Sequence, residues 1–134
     1  MTIVYFDGIL YMTILVSNIN NKPHGEQGYQ EGLIMVLKQD IYDSLQDVID
    51  PEMGINIVDL GLVYDVRVDE DAIEVDFTLT YPGCPLGAEI QNDIVETLRM
   101  SFGIAHVKAK IVWKPPWHPG LMSEEARISF GYPI

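Results

Sequence analysis

The chain has 134 residues, of which 48% are hydrophobic, and a formal net charge of −12 at pH 7. This length and composition are typical of one folded domain with a modest core, and they argue against general disorder. Only eight Lys and Arg residues stand against twenty Asp and Glu residues. That balance argues against nucleic acid and anionic membrane surfaces as partners. The single cysteine cannot form an internal disulfide, which fits the reducing cytoplasm, and it excludes a metal site built from several cysteines of one chain.

Residues 1–34 differ from the rest of the chain. Residues 8–16 are mostly apolar, but they are too few to span a bilayer, which takes ~20 residues, and they do not resemble a signal peptide. Residues 18–32 are polar and rich in Asn, Gln and Gly, which predicts a flexible segment. The stretch is either an extension with a strand-forming start or sequence read from an upstream start codon. We favour the second, with the natural start at Met35 and the functional domain over residues 35–134; the intact mass of the native protein decides.

The remaining chain predicts five elements in the order helix, strand, strand, helix, strand. A stripe of apolar residues predicts the first helix over residues 36–49. Alternation of apolar and polar residues predicts strands over residues 62–68 and 72–80, which we expect to form an antiparallel hairpin with one buried face. Apolar residues at four-residue spacing predict the second helix over residues 85–100, with Gly103 as its stop. Residues 104–113 predict the third strand.

Charges indicate how these strands are ordered. Lys108 and Lys110 lie on the polar face of the third predicted strand, and Glu74 and Asp76 lie on that of the second. Opposite charges favour neighbouring strands, although each pair contributes only ~0.2–1 kcal/mol. We therefore predict an α+β fold with two layers, in which two helices cover one face of a three-stranded mixed sheet.

The tail, residues 114–134, begins with a run of prolines that cannot continue a strand. Ser123 is expected to cap one short helical turn. We expect Trp113 and Trp117 to pack the tail onto the domain, since burial is the usual fate of such large aromatic side chains.

The single cysteine, Cys84, lies in the stretch TYPGCPLG, residues 80–87. Pro82-Gly83 is a strong turn signal, and Pro85 suits the first position of a helix. The pattern therefore predicts Cys84 at or next to a helix N-cap, where unpaired N–H groups and the helix dipole favour a thiolate. A free cysteine is more often a small buried apolar side chain, so a functional and a structural thiol are both open.

A second stretch of interest is DPEMGINIVDLG, residues 50–61, which has few helix or strand cues. It carries the polar residues Asp50, Glu52, Asn56 and Asp59, which could line a site. Alternatively, Asp50 and Asn56 bond to their own backbone in turns. On physical grounds alone, the turn interpretation is favoured.

The blocks DPEMGINIVDLGLVY (residues 50–64) and TLTYPGCPLG (residues 78–87) together resemble the small SufT/PaaD-like family of metal–sulfur cluster biosynthesis proteins. The resemblance covers roughly residues 37–113, and the tail resembles that of stand-alone bacterial members. It implies the order of elements predicted above and a role in iron–sulfur cluster assembly or delivery to client proteins. It also implies a shared surface site, whose residues by motif position are Asp50, Glu52, Asn56, Asp59, Thr80 and Cys84. Met53 departs from the aliphatic residue more usual in this family.

Three hypotheses follow for Cys84. In the first, the protein is a non-catalytic assembly factor, and the Cys84 thiolate ligates iron or a cluster transiently, with no cofactor held tightly. Asp50 and Glu52 would orient the loop or add a harder ligand, and a client apo-protein, the assembly machinery or a second chain in a homodimer would complete the ligand set. In the second, the protein is an adaptor for a metalloenzyme or oxygenase system, and Cys84 is structural. In the third, Cys84 is an enzymatic nucleophile; this is least favoured, because the sequence offers no clear base for it.

Overall fold

The computed structural model describes residues 2–6, 9–15, 31–69 and 72–132. It divides the chain into two compact units, Met1–Leu37 and Lys38–Ile134. Most of the predicted flexible segment over residues 18–32 lies outside the described residues, as do Glu70 and Asp71 of the turn predicted between the first two strands. Within the described ranges, no helix is long and apolar enough to cross a membrane.

The first unit contains an antiparallel sheet with the order β1-β2-β3. Its strands are β1 (Thr2–Phe6), β2 (Ile9–Leu15) and β3 (Glu31–Val36). The sequence indicated strand-forming character only at the start of this stretch. Because β3 runs across the predicted boundary at residues 34 and 35, the two units divide a few residues later, after Leu37. That residues 1–34 are not native stays a prediction.

The second unit has the predicted two-layer α+β architecture. Its sheet has the order β4-β5-β6, with β4 and β5 antiparallel and β5 and β6 parallel, which confirms the mixed three-stranded sheet. The elements are α1 (Lys38–Leu45), β4 (Val63–Val68), β5 (Ala72–Phe77), α2 (Gly87–Phe102), β6 (His106–Ile111) and the short α3 (Glu124–Ser129).

The core lies between the sheet and the two longer helices. On β5, Ile73, Val75 and Phe77 are fully buried, because successive strand residues face opposite sides and these three share the inner one. The helices contribute apolar residues at helical spacing that are likewise fully buried: Ile41, Leu45, Ile90, Ile94 and Leu98. This packing fixes the ends of β5 and α2, and therefore the loop between them.

The first helix is shorter than the sequence predicted. The pattern indicated residues 36–49, whereas Val36 ends β3 and the helix ends at Leu45. Beyond it, the carbonyl of Val48 accepts from the N–H of Ile57 at 3.0 Å, and Ile49 pairs with Asn56 in an isolated bridge. These residues continue the apolar pattern of the helix, but the chain uses them to close a hairpin-like turn.

The outer face of the sheet carries the charges that predicted its order. Lys108 and Lys110 lie opposite Glu74 and Asp76 in the parallel register of β5 and β6, which confirms the predicted neighbours. The described ion pairs, however, centre on Arg67 of β4. Its guanidinium donates to Asp65 and Asp76 at 2.9 Å and to Glu74 at 3.3 Å. Three carboxylates therefore share one exposed guanidinium, and Asp65 also pairs with Lys38 at 4.0 Å.

We expect acid to weaken the fold partly through Asp76. Hydrogen bonds from Arg67 outweigh burial and hold the pKa of the Asp76 carboxyl below its usual range. An Asp with a depressed pKa stabilises the fold fully above the unfolded-state pKa of about 3.9, and this contribution is lost as the pH falls through the folded-state pKa. The free energy of unfolding from urea titrations at low salt should therefore converge for wild type and Asp76→Asn as the pH falls. Asp93→Asn, at an exposed position on α2, is the control, and parallel pH curves for wild type and Asp76→Asn would contradict the assignment.

The tail packs back on the domain as predicted, but through one tryptophan only. Ser123 caps α3 through its hydroxyl, which accepts from the N–H of Ala126 at 3.2 Å. The indole N–H of Trp117 donates to the carbonyl of Leu60 at 2.7 Å. The prediction for Trp113 is wrong, since its side chain is 43% exposed.

Candidate functional site

The loop that carries Cys84 connects β5 to α2. The helix begins at Gly87, with Leu86 as its N-cap residue, and its first bond joins the N–H of Ile90 to the carbonyl of Leu86 at 3.0 Å. Gly87 is buried, and a Cβ atom there would lie 2.9 Å from Leu79 Cδ1, so the helix start packs closely on the segment that follows β5. The prediction that Cys84 lies at or next to the N-cap is therefore wrong, and the helix-start argument for a thiolate loses its geometric basis.

Asp50 is a structural residue of its own loop. It is only 2% exposed, and its Oδ1 accepts from the N–H groups of Glu52 at 2.9 Å and Met53 at 3.3 Å. The N–H of Gly54 closes the same turn on the Asp50 carbonyl at 2.7 Å. This confirms the turn interpretation for Asp50, whose side chain orients the backbone that presents Glu52.

Asn56 and Asp59 also bond within the loop. Asn56 Nδ2 donates to Asp59 Oδ2 at 2.6 Å, and the N–H of Asp59 donates to Asn56 Oδ1 at 2.8 Å. These reciprocal bonds close one turn, so both side chains are engaged with each other. Thr80 is half-buried at the start of the cysteine loop, one residue before Tyr81. Of the six residues that the resemblance implied, the structure therefore joins two directly across the loops.

Those two residues are Glu52 and Cys84. Cys84 is half-buried, and its Sγ lies 3.9 Å from Glu52 Oε2, in donor geometry toward the carboxylate. The hydroxyl of Tyr81 donates to the other oxygen, Glu52 Oε1, at 3.3 Å. Partial burial raises the pKa of the Tyr81 phenol, with smaller contributions from Glu52 and Cys84 beside it. Two loops that are distant in sequence thus form one cluster with a thiol, a carboxylate and a phenol.

Tyr81 is the member of this cluster to which the sequence assigned no role. Its side chain is 45% exposed, next to the turn that Pro82 and Gly83 form. An aromatic residue exposed at a turn and directly before the single cysteine is a signal that could have identified it. The contact of Glu52 with this loop could not be deduced from spacing, because Glu52 lies 32 positions away from Cys84.

The cluster offers two donors that suit iron. In a tetrahedral zinc site, bond lengths of ~2.3 Å to sulfur and ~2.1 Å to oxygen place two such ligand atoms ~3.6 Å apart, which serves as a guide for a first-row metal ion. The observed 3.9 Å between Cys84 Sγ and Glu52 Oε2 is close to this separation. Among the residues that the structure describes, no group of three or more His, Cys, Asp and Glu side chains could hold a metal ion. Cys84 and Glu52 therefore form a pair of donor side chains, fewer than such a group needs.

Comparisons with known proteins identify the family. A family model described as iron–sulfur cluster assembly protein matches residues 38–111. The chain is 43% identical over 96 residues to the Fe-S protein maturation auxiliary factor YitW of Bacillus subtilis, a match that covers 71% of this chain and 94% of that relative. It is 47% identical over 85 residues to the Fe-S protein maturation auxiliary factor SufT of Staphylococcus aureus, covering 63% and 97%.

Solved structures agree with this family and with the fold. A domain of unknown function from Bacillus anthracis matches with a TM-score of 0.67 and 39% identity, over 69% of this chain and 90% of that one. A hypothetical protein from Thermotoga maritima matches with a TM-score of 0.62 and 40% identity, over 72% and 95%. The resemblance based on residues 50–64 and 78–87 is thereby confirmed. The chain belongs to the iron–sulfur cluster assembly protein family.

Proposed function

We propose that the protein is a non-catalytic factor for iron–sulfur cluster assembly or delivery, in which Cys84 ligates iron or a cluster as transient cargo. The observation that carries this proposal is the approach of Cys84 Sγ to Glu52 Oε2, at 3.9 Å, from two different loops. A thiolate is a soft ligand suited to iron and iron–sulfur clusters, and a carboxylate is a harder one for iron. The names of the curated relatives support this class of function.

Shared ligation explains how a chain with one cysteine could handle such cargo. Clusters are held by several thiolates, whereas this chain has only Cys84. We propose that a client apo-protein, the assembly machinery or a second copy of this chain provides the other ligands. A site that is completed by another protein releases its cargo readily, and the free thiol that it needs persists in a reducing cytoplasm.

An adaptor function is the alternative, and the tail is the observation that favours it. Four large apolar side chains in the tail are 37–56% exposed: Leu121, Ile128, Phe130 and Tyr132. Exposed apolar groups of this kind can dock a partner protein. In that case, Cys84 would serve packing alone, and its thiol would be dispensable for client maturation.

Anaerobic reconstitution tests the ligand role directly. Wild type and Cys84→Ala are incubated with ferrous iron and sulfide without oxygen and then desalted. We expect wild type to retain visible cluster absorption and iron, and Cys84→Ala to retain at most about a tenth of both, since a cluster without its thiolate dissociates. Equal absorption per chain in the two proteins would refute ligation by Cys84.

Complementation separates the assembly factor from the adaptor. In a deletion strain, we expect Cys84→Ser and Cys84→Ala to leave a cluster-dependent client enzyme as inactive as the empty strain, although the folded variants still bind clients in a pull-down. Glu52→Gln should lie between wild type and Cys84→Ala, and Glu96→Gln, an exposed glutamate on α2, is the matched control. Full complementation by Cys84→Ser would establish the adaptor function in place of the ligand role.

We further propose that this function belongs to residues 35–134 and that residues 1–34 are an addition to it. The match of the family model to residues 38–111 supports this division. Because β3 extends past residue 35 and the two units divide after Leu37, a shortened chain that starts at Lys38 leaves the second unit whole. It should complement the deletion strain as well as the full chain does.

A further inference from the structure

The tail is hydrogen-bonded to the C-terminal end of the loop of residues 50–61. We define the C-terminal strap as residues 114–132. Its indole donor, Trp117 Nε1, bonds to the carbonyl of Leu60 at 2.7 Å. Its backbone donor, the N–H of Ser123, bonds to the carbonyl of Asp59 at 2.7 Å. Two successive carbonyls of the loop are thus both bonded to the strap.

The next residue of the loop, Gly61, is in direct contact with the strap. Its φ of +70° lies in the left-handed region. A Cβ atom at this position would lie 2.9 Å from Leu121 Cβ and closer still to the Leu121 carbonyl group. Only glycine allows the loop to pass this close to the strap. Behind these contacts, Met122 and Ala126 are buried, which ties the strap to the domain.

Hydrogen bonds in two adjoining turns, joined through the backbone of Ile55 and Asn56, connect Asp59 to Glu52. The N–H of Asp59 donates to Asn56 Oδ1 at 2.8 Å. In the adjoining turn, the N–H of Asp50 donates to the carbonyl of Ile55 at 3.0 Å, and Asp50 Oδ1 accepts from the N–H of Glu52 at 2.9 Å. The loop is therefore one hydrogen-bonded body, which the Ile57 N–H anchors to Val48, which the strap holds at Asp59 and Leu60, and which presents Glu52 at its other end.

We propose that the C-terminal strap is a positioning element, which keeps the loop of residues 50–61 where the Glu52 carboxylate faces Cys84. This inference rests on the proposed function, because the positions of Cys84 and Glu52, the donor pair, matter only if the pair binds iron or a cluster. The contacts that Glu52 makes in the cluster are weak, since Cys84 Sγ lies 3.9 Å away and the hydrogen bond from the exposed Tyr81 is 3.3 Å long. The position of Glu52 therefore depends on the body of the loop, and the strap holds the part of that body next to Asp59 and Leu60. The strap lies beyond residues 38–111, to which the family model matches.

A disulfide probe measures this positioning without any client. Cys84 is the only cysteine, so Glu52→Cys creates a chain with two thiols, the new one on the loop of residues 50–61 and two bonds short of the Glu52 carboxylate oxygens. In a glutathione redox buffer, the two thiols lose two protons and two electrons to oxidised glutathione as the disulfide forms. The equilibrium gives the effective concentration of one thiol at the other. This quantity depends on loop position in the folded state, which a merely destabilising substitution does not change.

Two pairs of variants in the Glu52→Cys background isolate the strap contacts. Ser123→Pro removes the N–H that bonds to Asp59 and suits the native φ of −58°, whereas Ser123→Ala keeps that N–H and loses only the helix cap. Trp117→Phe keeps an aromatic ring but loses the bond to Leu60, and Trp113→Phe is its control at an exposed tryptophan. All measurements are made on full-length protein under conditions where circular dichroism shows it folded.

We expect Ser123→Pro and Trp117→Phe each to lower the effective concentration roughly 2- to 10-fold, the equivalent of one hydrogen bond. Ser123→Ala and Trp113→Phe should leave it unchanged. Equal values in all four variants would overturn the proposal. The proposed function is judged separately by the complementation of Cys84→Ala, so the two can fail independently.

Discussion

Gly61→Ala should lower the free energy of unfolding by roughly 2–4 kcal/mol. The left-handed conformation costs a residue with a Cβ atom about 1–2 kcal/mol. Overlap of the new methyl group with the backbone of Leu121 adds about 1–2 kcal/mol, because neither the strap nor the loop can move without breaking hydrogen bonds. Urea denaturation followed by circular dichroism measures the loss.

Gly54→Ala is the matched control for this substitution. Gly54 has almost the same φ, +69°, but a Cβ atom there meets nothing within 4 Å. It should therefore lose only the conformational part, about 1–2 kcal/mol. The difference between the two variants isolates the contact of the loop with the strap. Equal losses would mean that this contact adds no stability.

Asp50→Ala is the second substitution with a large expected effect, a loss of roughly 2–3 kcal/mol. It removes the oxygen that accepts from the N–H groups of both Glu52 and Met53, in a residue that is only 2% exposed. A partly buried donor that loses its acceptor costs about 1–3 kcal/mol. The loss is measured by the midpoint and slope of urea denaturation.

Asp50→Asn separates the acceptor from the charge. The amide keeps an oxygen for both N–H groups, so we expect less than half of the loss seen with alanine. If Asp50 only shapes the turn, Asp50→Asn should also support a cluster-dependent client in cells. A stable Asp50→Asn protein that fails to support the client would instead give the carboxylate a direct role in handling cargo.

Local patterning predicted most of the second unit. The alternation on β5 is strict, and its apolar residues Ile73, Val75 and Phe77 are all fully buried. Gly103 ends α2 in the left-handed conformation, as expected of a glycine after a helix. The lysines of β6 identified β5 as its neighbour, because opposite charges on adjacent strands lie side by side.

The misses have a common physical cause, which is that tertiary packing overrides local preference. Pro85 suits a helix start, yet the helix begins two residues later, at Gly87, which packs closely on Leu79. Val48 and Ile49 continue the apolar stripe of α1, yet they pair with the opposite arm of a turn. The approach of Glu52 to Cys84 depends on two loops at once, so a resemblance could imply it but no local spacing could.

The order of segments along the chain has a consequence for biosynthesis. A ribosome makes the loop of residues 50–61 first, the cysteine loop next and the strap after both. If the strap positions Glu52, a nascent chain exposes its thiol before the carboxylate is held beside it. Binding of iron by Cys84 and Glu52 together would then be postponed until the strap has emerged and docked, so that only a folded molecule would bind iron through both side chains.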